Sequence, residues 1–303
     1  MPASNDPIEF IRQRFGIELK KVGRDEWAGA CPWCSGTDRY HVWRAGNFWC
    51  RPGPGHCGRQ GWVDQLDGYE PPTQAQKLEW RVAELERKQH DQETRIDKLE
   101  QMHKSQAHLQ YHHALTEASI EYWAGEGMVM ETIDRYLLGW CHRCPTDHDG
   151  RASYTIPIIN RGVLENIRHR LIGADNGDKY RPHMAGLGNS LFNVDVLDRK
   201  PEAVIVTEGE KKTIVLDQSG FDAVGICGKR SFKREWLSWF ERIPQVYIAL
   251  DPDAMESAYK LAEMFGDRAR VMRLPAKIDD LIVKYHAGAG DIDHYMRAAR
   301  RGN

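Results

Sequence analysis

The chain has 303 residues, of which 41% are hydrophobic and 28% are charged, an ordinary composition for a globular protein of two domains or three small ones. No apolar run approaches the roughly 18 residues that a membrane span requires, and the opening MPASNDPIEF lacks the pattern of a signal peptide. We therefore expect a cytoplasmic protein with no membrane partner, whose seven cysteines are metal ligands or buried thiols rather than disulfides. The net charge of −2 argues against general coating of nucleic acid, although it is compatible with a local basic groove.

The first predicted element is a short helix. Asp6 can cap it, Pro7 suits its first position, Glu9 completes the pattern of a helix start, and Gly16 can end it. Residues 26–66 then change character, because glycine, cysteine and tryptophan replace aliphatic residues. So little aliphatic bulk cannot form a large core, and we therefore expect small twisted strands around a metal ion.

Four cysteines supply candidate ligands for that metal. Cys31 and Cys34 lie in a CPWC turn, and Cys50 and Cys57 can complete the tetrahedral thiolate site that structural zinc favours. Six residues separate the second pair, where two to four are usual, so the segment between them should loop out. His56 could replace Cys57 as a ligand. The sequence therefore predicts one Zn²⁺ ion.

Aromatic residues surround these cysteines. They are His41, Trp43, Phe48, Trp49 and Trp62. Such rings can stack on unpaired bases, each worth about 1–3 kcal/mol, or they can form the small core of the strands. We expect Phe48 and Trp62 to be core residues. Either role is open for Trp43, which has Arg39, Arg44 and Arg51 near it in the sequence.

A polar segment without glycine or proline runs from Thr73 to about His113. Its apolar residues fall at spacings of three and four, but Gln89 and Gln92 interrupt the seam. A stable coiled-coil dimer needs several full heptads. The pattern therefore favours a long, exposed helix that acts as a spacer, with a coiled-coil dimer as the weaker alternative.

The second half of the chain alternates between strands and helices. A short helix is predicted over Met130–Leu138, ended by Gly139, and a hairpin joins Tyr154–Ile159 to Val163–Leu171. Four further apolar runs are predicted strands: Ala203–Val206, Ala223–Ile226, Tyr247–Leu250 and Val271–Leu274. Buried runs separated by helix-length segments indicate a parallel sheet with helices on both faces. A second CxxC pair, Cys141 and Cys144, has no partner pair, and packing is favoured over a second metal.

Carboxylates follow two of the predicted parallel strands. Glu208 lies at the end of one run, and Asp251 and Asp253 follow another. Ligands sit beyond the carboxyl ends of the strands in such sheets, and grouped carboxylates bind Mg²⁺ or Mn²⁺. We therefore predict a catalytic metal site formed by these three residues. The alternative is that they cap the following helices.

Charged residues near the same sheet edge could contact phosphates. The predicted nucleotide- or template-binding residues are Arg168, Arg170, Lys179, Arg181, Lys211, Lys229, Lys277, Asp279, Asp280 and Trp43. Solvated surface charge is the ordinary alternative for the basic residues, and Asp279 or Asp280 could instead cap a helix.

Several motifs together resemble a known family. They are ELKKVGRDEWAGACPWCSGTDRYHVW, YWAGEGMVMETIDRYLLGW followed by TIPIINRGVLENIRHRLIG, VIVTEGEKK with IALDPDA, and KIDDLIVKYHAG. In this order the chain resembles DnaG-type and bacteriophage DNA primases over nearly its whole length, and VIVTEGEKK with IALDPDA resembles the Toprim signature.

The resemblance implies an α/β fold with a small β-rich zinc ribbon, a long helical linker and a primase catalytic domain that contains a parallel-sheet Toprim fold. The implied division is a template-binding ribbon over 1–70, a linker over 71–113, the N-terminal part of the RNA polymerase domain over 114–200 and the Toprim domain over 201–303.

The implied activity is synthesis of short RNA primers from NTPs on a single-stranded DNA template by metal-dependent nucleotidyl transfer, in a bacterial or phage-infected cell. Glu208, Asp251 and Asp253 would be the catalytic acidic residues. Many such primases have an acidic residue where Lys212 stands, which leaves the number of catalytic metals open.

No Walker loop of the GxxxxGK[ST] type occurs in the sequence, so we expect a separate replicative helicase as a partner. The alternative functions are a Toprim nuclease and a non-catalytic nucleic-acid-binding or helicase-associated factor.

Overall fold

A computed structural model describes residues 6–69, 73–174, 179–227 and 232–301. These residues form two compact units, which divide between Asp91 and Gln92 within a long helix. None of the helices in the described ranges is both long enough and apolar enough to cross a membrane.

The first unit begins with helix α1, Pro7–Phe15. The Asp6 side chain caps this helix, because its Oδ1 accepts a hydrogen bond from the backbone N–H of Ile8 at 2.8 Å. Gly16 ends the helix with φ +62°, a left-handed conformation that glycine adopts without strain. The predicted helix is therefore confirmed at both ends.

A five-stranded antiparallel sheet follows, with its strands in sequence order. The strands are β1 (Leu19–Lys21), β2 (Glu26–Gly29), β3 (Tyr40–Trp43), β4 (Asn47–Cys50) and β5 (Gln60–Trp62). Helix α1 packs on one face through Ile8 and Ile11, which join Tyr40, Val42 and Phe48 in the core. This sheet and its cysteines are the predicted β-rich ribbon.

The prediction for Trp62 is wrong, whereas that for Phe48 is confirmed. Phe48 is 5% exposed, but the Trp62 side chain is 49% exposed. Phe48 pairs with Gly61, and successive side chains on a strand point to opposite faces, so Trp62 points away from the core. The strand register decides this orientation.

The predicted long helix is observed as two helices, α2 (Gln74–Ser105) and α3 (Ala107–His113). Gln106 separates them with φ +46°, a left-handed conformation that interrupts the helical hydrogen bonds. Helix α2 is exposed along most of its length, and Met102 is its one buried residue. The predicted exposed helix is therefore observed, whereas its role as a spacer stays a prediction.

The second unit contains a four-stranded antiparallel sheet in the order β6-β7-β8-β9. Its elements are α4 (Glu117–Gly125), α5 (Met130–Arg135), β6 (Gly139–Cys141), β7 (Ser153–Asn160), β8 (Val163–Leu171) and β9 (Tyr180–Pro182). The hairpin turn has positive φ at both Arg161 and Gly162, as a tight two-residue turn requires, which confirms the predicted hairpin.

The predicted helix over Met130–Leu138 is shorter than expected, because α5 ends at Arg135. Gly139 starts strand β6 instead of ending the helix. A Cβ atom at this position would lie 2.7 Å from the carbonyl oxygen of Tyr111, so only glycine allows α3 to pack this closely. The glycine therefore serves tertiary packing.

A five-stranded sheet completes the second unit, in the order β10-β12-β11-β13-β14. Its elements are β10 (Leu191–Phe192), α6 (Asp195–Asp198), β11 (Ala203–Glu208), α7 (Glu210–Gln218), β12 (Ala223–Ile226), β13 (Gln245–Ala249), α8 (Met255–Phe265), β14 (Ala269–Val271), α9 (Ile278–Val283) and α10 (Ala289–Ala298). Strands β12, β11, β13 and β14 are parallel, and β10 is antiparallel to β12. The predicted α/β fold class is confirmed.

Candidate functional site

The four predicted zinc ligands come together in the first unit. Cys31 Sγ lies 3.7 Å from Cys57 Sγ, and Cys34 Sγ lies 3.6 Å from Cys50 Sγ. All four sulfur atoms are within 4.8 Å of one another. A tetrahedron with Zn–S bonds of about 2.3 Å has edges of about 3.8 Å. The cluster therefore fits a structural zinc ion.

The chemistry of the thiols supports a cation at this position. Hydrogen bonds from the backbone N–H groups of Cys57 and Gly36, with a contribution from His56, lower the pKa of the Cys34 thiol to about 5. Burial raises the pKa of Cys50 to about 12. Grouped thiols of this kind ionise together only if a cation offsets their mutual repulsion. His56 Nδ1 is 3.9 Å from Cys34 Sγ, but the four-ligand group contains Cys57, as first predicted.

The second CxxC pair is part of the packing. Cys141 and Cys144 are both buried, with Cys141 Sγ 3.1 Å from the backbone oxygen of Arg143 and Cys144 Sγ 3.6 Å from Thr146 Oγ1. Within the ranges that the structure describes, neither cysteine belongs to a group of three potential metal ligands. Both thiols therefore pack in the interior of the second unit, as the favoured interpretation predicts.

The outer face of the ribbon sheet is aromatic. We define this aromatic face by His41, Trp43, Trp49 and Trp62, which the strand registers place on one side of the sheet. The His41 and Trp43 rings stack with centroids 6.1 Å apart, and His41 Nδ1 lies 2.6 Å from Glu26 Oε1. The face thus presents several rings that the core does not use.

In the second unit, two of the predicted carboxylates lie at adjacent strand ends. Glu208 is the last residue of β11, and Asp251 follows β13. The Thr207 hydroxyl donates a 2.9 Å hydrogen bond to the Ala249 carbonyl, which joins the two strand ends. Gly209 then turns the chain into α7 with φ +84° and ψ 167°, a backbone conformation reserved for glycine. The turn holds Glu208 at the edge of the sheet.

Asp251 is neutralised by two lysines. Lys212 Nζ lies 2.6 Å from its Oδ1, and Lys277 Nζ lies 3.8 Å from its Oδ2. Asp251 is only 6% exposed, while Asp253 is exposed on the short 3₁₀ turn that follows. Asp251 is the N-cap residue of that turn, and its side chain makes no capping hydrogen bond there.

The three carboxylates do not form a closed ligand cage. In the described part of the chain, the four cysteines are the only group of three or more potential ligands whose donor atoms lie so close together. Mg²⁺ binds in the active sites of phosphoryl-transfer enzymes through one or two carboxylates together with water and substrate phosphates. Glu208 and Asp251, at neighbouring strand ends, have the right chemistry for such an open site.

A second group of charges adjoins this edge. Lys211 forms ion pairs with Glu126 and, at 3.6 Å, with Asp279 Oδ2, and Arg170 Nη1 lies 3.5 Å from Glu126 Oε1. The charge of Arg170 lowers the pKa of Lys179, with smaller contributions from burial, Lys211 and Lys277. The structure therefore brings four of the predicted phosphate-binding cations into one neighbourhood.

Arg168 has a buried partner on the first turn of α7. Its Nε lies 3.3 Å from Glu210 Oε1, and the Cys227 thiol donates to the same oxygen at 2.9 Å. Glu210 is 4% exposed. Reasoning from the sequence missed Glu126 and Glu210. Glu210 could have been found from its place in the EGE motif, but nothing in the sequence marks Glu126.

The remaining predicted residues are placed differently. Arg181 pairs in register with His169, on the side of the strands opposite Arg168 and Arg170, so the structure does not bring it to this group. Asp280 lies in the first turn of α9 and binds Lys284 at 2.8 Å; neither it nor Asp279 caps the helix. Lys229 lies outside the described residues.

With this geometry in place, the chain can be compared with known proteins. At the level of sequence, no protein-family model and no curated protein matches it. Its structure is similar to that of the Aquifex aeolicus primase zinc-binding and RNA polymerase domains, with a TM-score of 0.54 and 16% identity over 97% of this chain and 83% of that one. The chain has a primase fold.

Two catalytic-domain structures agree. A DnaG primase catalytic domain bound to ssDNA matches with a TM-score of 0.55 and 19% identity over 70% of this chain and 83% of that one. The RNA polymerase domain of Mycobacterium tuberculosis primase DnaG matches with a TM-score of 0.55 and 14% identity over 65% and 82%. The resemblance to primases predicted from the sequence is therefore confirmed in the fold.

Proposed function

We propose that the protein is a DNA primase that makes short RNA primers from NTPs on a single-stranded DNA template. The observation that carries this proposal is the edge of the parallel sheet, where Glu208 and Asp251 lie at the ends of adjacent strands and Lys212 and Lys277 contact Asp251. The primase fold, with its DnaG relative bound to ssDNA, supports the same function.

The chemistry of the proposed reaction matches these residues. Phosphoryl transfer needs mainly positioning and neutralisation of charge. Bound at Glu208, Asp251 and Asp253, Mg²⁺ or Mn²⁺ would neutralise the charge of the NTP phosphates. Lys211, Lys277 and the arginines of β8 would orient those phosphates toward the 3′-hydroxyl of the growing primer.

The intramolecular pairs give the basic residues a fixed geometry before substrate binds. Glu126 holds Lys211 and Arg170, and Glu210 holds Arg168. A preorganised set of charges needs little rearrangement when the transition state forms, which is the basis of electrostatic catalysis. Arg181 lies apart from this group, and its contact with a template strand stays a prediction. Lys229 lies outside the described residues, and its role stays a prediction as well.

We further propose that residues 1–70 bind the template, that 71–113 link the two parts, and that 114–200 and 201–303 form the polymerase and Toprim parts of the catalytic domain. Trp43 and the other rings of the aromatic face would stack on template bases. A separate replicative helicase is the proposed partner, and the cytoplasm of a bacterial or phage-infected cell is the proposed location.

The test is primer synthesis from labelled NTPs on single-stranded DNA by the full chain. Asp251→Asn and Glu208→Gln keep side-chain size but remove a charge, and each should lower the rate by at least about 10²–10³-fold. Asp267→Asn is the matched control, because Asp267 is a surface aspartate 3.6 Å from Arg301 and precedes β14, at the edge of the parallel sheet opposite the site. If both site variants made primers at the wild-type rate, the active site would lie elsewhere. The alternative of a non-catalytic binding factor would then be favoured.

A further inference from the structure

The first unit contains a groove that the aromatic face does not use. It has a volume of about 490 Å³ and lies between the β1–β2 turn, the residue after β3 and the first turns of α2. The positively charged residues that line it are Lys21, Arg24, Arg44, Lys77, Arg81 and Arg87. All six are exposed, so solvent ions or a polyanion can reach them.

The charge of this groove differs from that of the whole chain. Six cations line the groove with two acidic residues, Asp25 and Glu84, and Arg44 also lies 4.0 Å from Asp6, so an excess of three positive charges remains in a protein of net charge −2. Glu84 is also paired outside the groove, since Lys88 Nζ lies 2.8 Å from its Oε1. The groove is therefore a local centre of positive potential, which is what binding to phosphates requires.

Two of the cations are positioned by a buried ring. Lys21 Nζ lies 5.6 Å and Arg44 Cζ 5.2 Å from the centroid of Trp27, which is 8% exposed. The strand side and the helix side line the same cavity, with Lys21 and Arg24 from the first and Lys77 and Arg81 from the second. The sheet and the helix thus form one site.

The helix side of the groove is a row of cations along one face of α2. Lys77, Arg81, Glu84 and Arg87 follow one another at spacings of four, three and three, and Trp80 lies three residues after Lys77, so all five share one helical face. The ten residue steps from Lys77 to Arg87 span about 15 Å of helix, so the row is long enough to contact more than one phosphate of a strand. Trp80 is half-buried and also lines the groove, where an aromatic ring can contact a base. A row of cations with a ring fits a phosphodiester strand better than an acidic protein surface.

We propose that this groove binds the phosphate backbone of single-stranded DNA, separately from the aromatic face. Lys21 pairs in register with Trp27, and Trp27 pairs with Val42, which points to the side of the sheet opposite His41 and Trp43. The groove and the aromatic face therefore lie on different sides of the ribbon. Only the identification of the bound strand as single-stranded DNA rests on the proposed primase function.

The salt dependence of DNA binding tests the groove. Each phosphate contact on a single strand contributes about 0.7 to the slope of log affinity against log salt concentration. Lys77→Gln combined with Arg81→Gln should reduce the magnitude of this slope by about 1.4 in the full chain. The affinity is measured by fluorescence anisotropy with a labelled single-stranded oligonucleotide and no NTPs. Glutamine is a good helix former, so α2 should persist.

A matched control makes the same change of charge elsewhere on α2. Arg95→Gln combined with Lys104→Gln removes two exposed cations that do not line the groove, and it should leave the slope unchanged. Equal slopes for the wild type and the groove variant would overturn the proposal, and so would equal losses in both double variants. Binding of poly-glutamate in place of DNA, lost in the groove variant, would assign the groove to an acidic protein instead.

The two proposals fail in different ways. A chain that binds single-stranded DNA with the expected slopes but makes no primers would contradict the primase function and leave the groove standing. A chain that makes primers while the groove variant binds DNA as the wild type does would contradict the groove alone.

Discussion

The ammonium group of Lys212 lies 2.6 Å from Oδ1 of Asp251, and the two residues are 9% and 6% exposed. Lys212 stands where many of the primases that the chain resembles have an acidic residue. A carboxylate at this position would add to the negative charge of the site, whereas the lysine cancels that of Asp251. Lys212 therefore supplies a fixed positive charge next to Asp251.

Replacing Lys212 with methionine should tighten the binding of Mn²⁺ to the second unit. The substitution keeps the side-chain length but removes a cation that competes with the metal for Asp251. A charge interaction of about 1.4 kcal/mol corresponds to a tenfold change, so we expect an affinity at least about tenfold higher by isothermal titration. Lys284→Met, which removes the exposed partner of Asp280, is the control. Weaker binding in the Lys212 variant would show that the lysine supports the metal instead of replacing it.

Cys50→Ser should remove the zinc ion and disorder the ribbon. Cys50 is buried, and its sulfur lies 3.6 Å from Cys34 Sγ within the four-thiol cluster. Elemental analysis should give about one zinc per chain for the wild type and less for this variant. Cys144→Ser, which changes a buried thiol outside the cluster, should keep the zinc. Full zinc content in Cys50→Ser would exclude this ligand set.

Arg168→Met should destabilise the second unit, because it leaves the buried Glu210 carboxylate without its cation. Breaking a buried ion pair from one side costs about 3 kcal/mol in free energy of unfolding. Adding Glu210→Gln should restore most of that loss, as urea unfolding can measure. Arg161→Met breaks the exposed pair with Asp198, 2.9 Å apart, and should cost less than about 1 kcal/mol. A double variant as unstable as the single one would contradict the pairing.

Stability should fall with acid through His169. This ring is fully buried between Ser153 Oγ at 2.8 Å and His183 Nδ1 at 3.1 Å, and burial, followed by the charge of His183, lowers its pKa to about 3. In the unfolded chain this histidine has an ordinary pKa near 6.5 and is protonated below that pH, whereas in the folded chain it stays neutral. The free energy of unfolding is therefore unaffected by this group above about pH 6.5. Below that, it falls by about 1.4 kcal/mol per pH unit down to about pH 3.

Thermal unfolding between pH 4 and 7 measures this dependence. His169→Gln removes the titrating group and should flatten the curve over that interval, even if the variant is less stable at neutral pH. Identical slopes for the wild type and the variant would show that His169 is not the source and would assign the acid sensitivity to other groups, among them His183, whose pKa burial also lowers.

Local patterns determined much of this structure. The cap at Asp6, the turn at Arg161 and Gly162, and the CPWC turn depend on residues next to each other in the chain, and all three agree with the structure. The strand ends at Glu208 and Asp251 were also predictable, because a buried parallel strand is a short apolar run and its end is visible in the sequence.

Only the tertiary structure decided which charges meet. Lys212 reaches Asp251 from a different strand–helix unit, and Glu126 reaches Lys211 across 85 residues of sequence, so no local pattern could indicate either pair. Strand register likewise determines the face of the sheet on which Trp62 and Arg181 lie, because a shift of one residue reverses that face. The sequence by itself determined the elements and the zinc ligands, whereas long-range packing determined how the charges of the site neutralise one another.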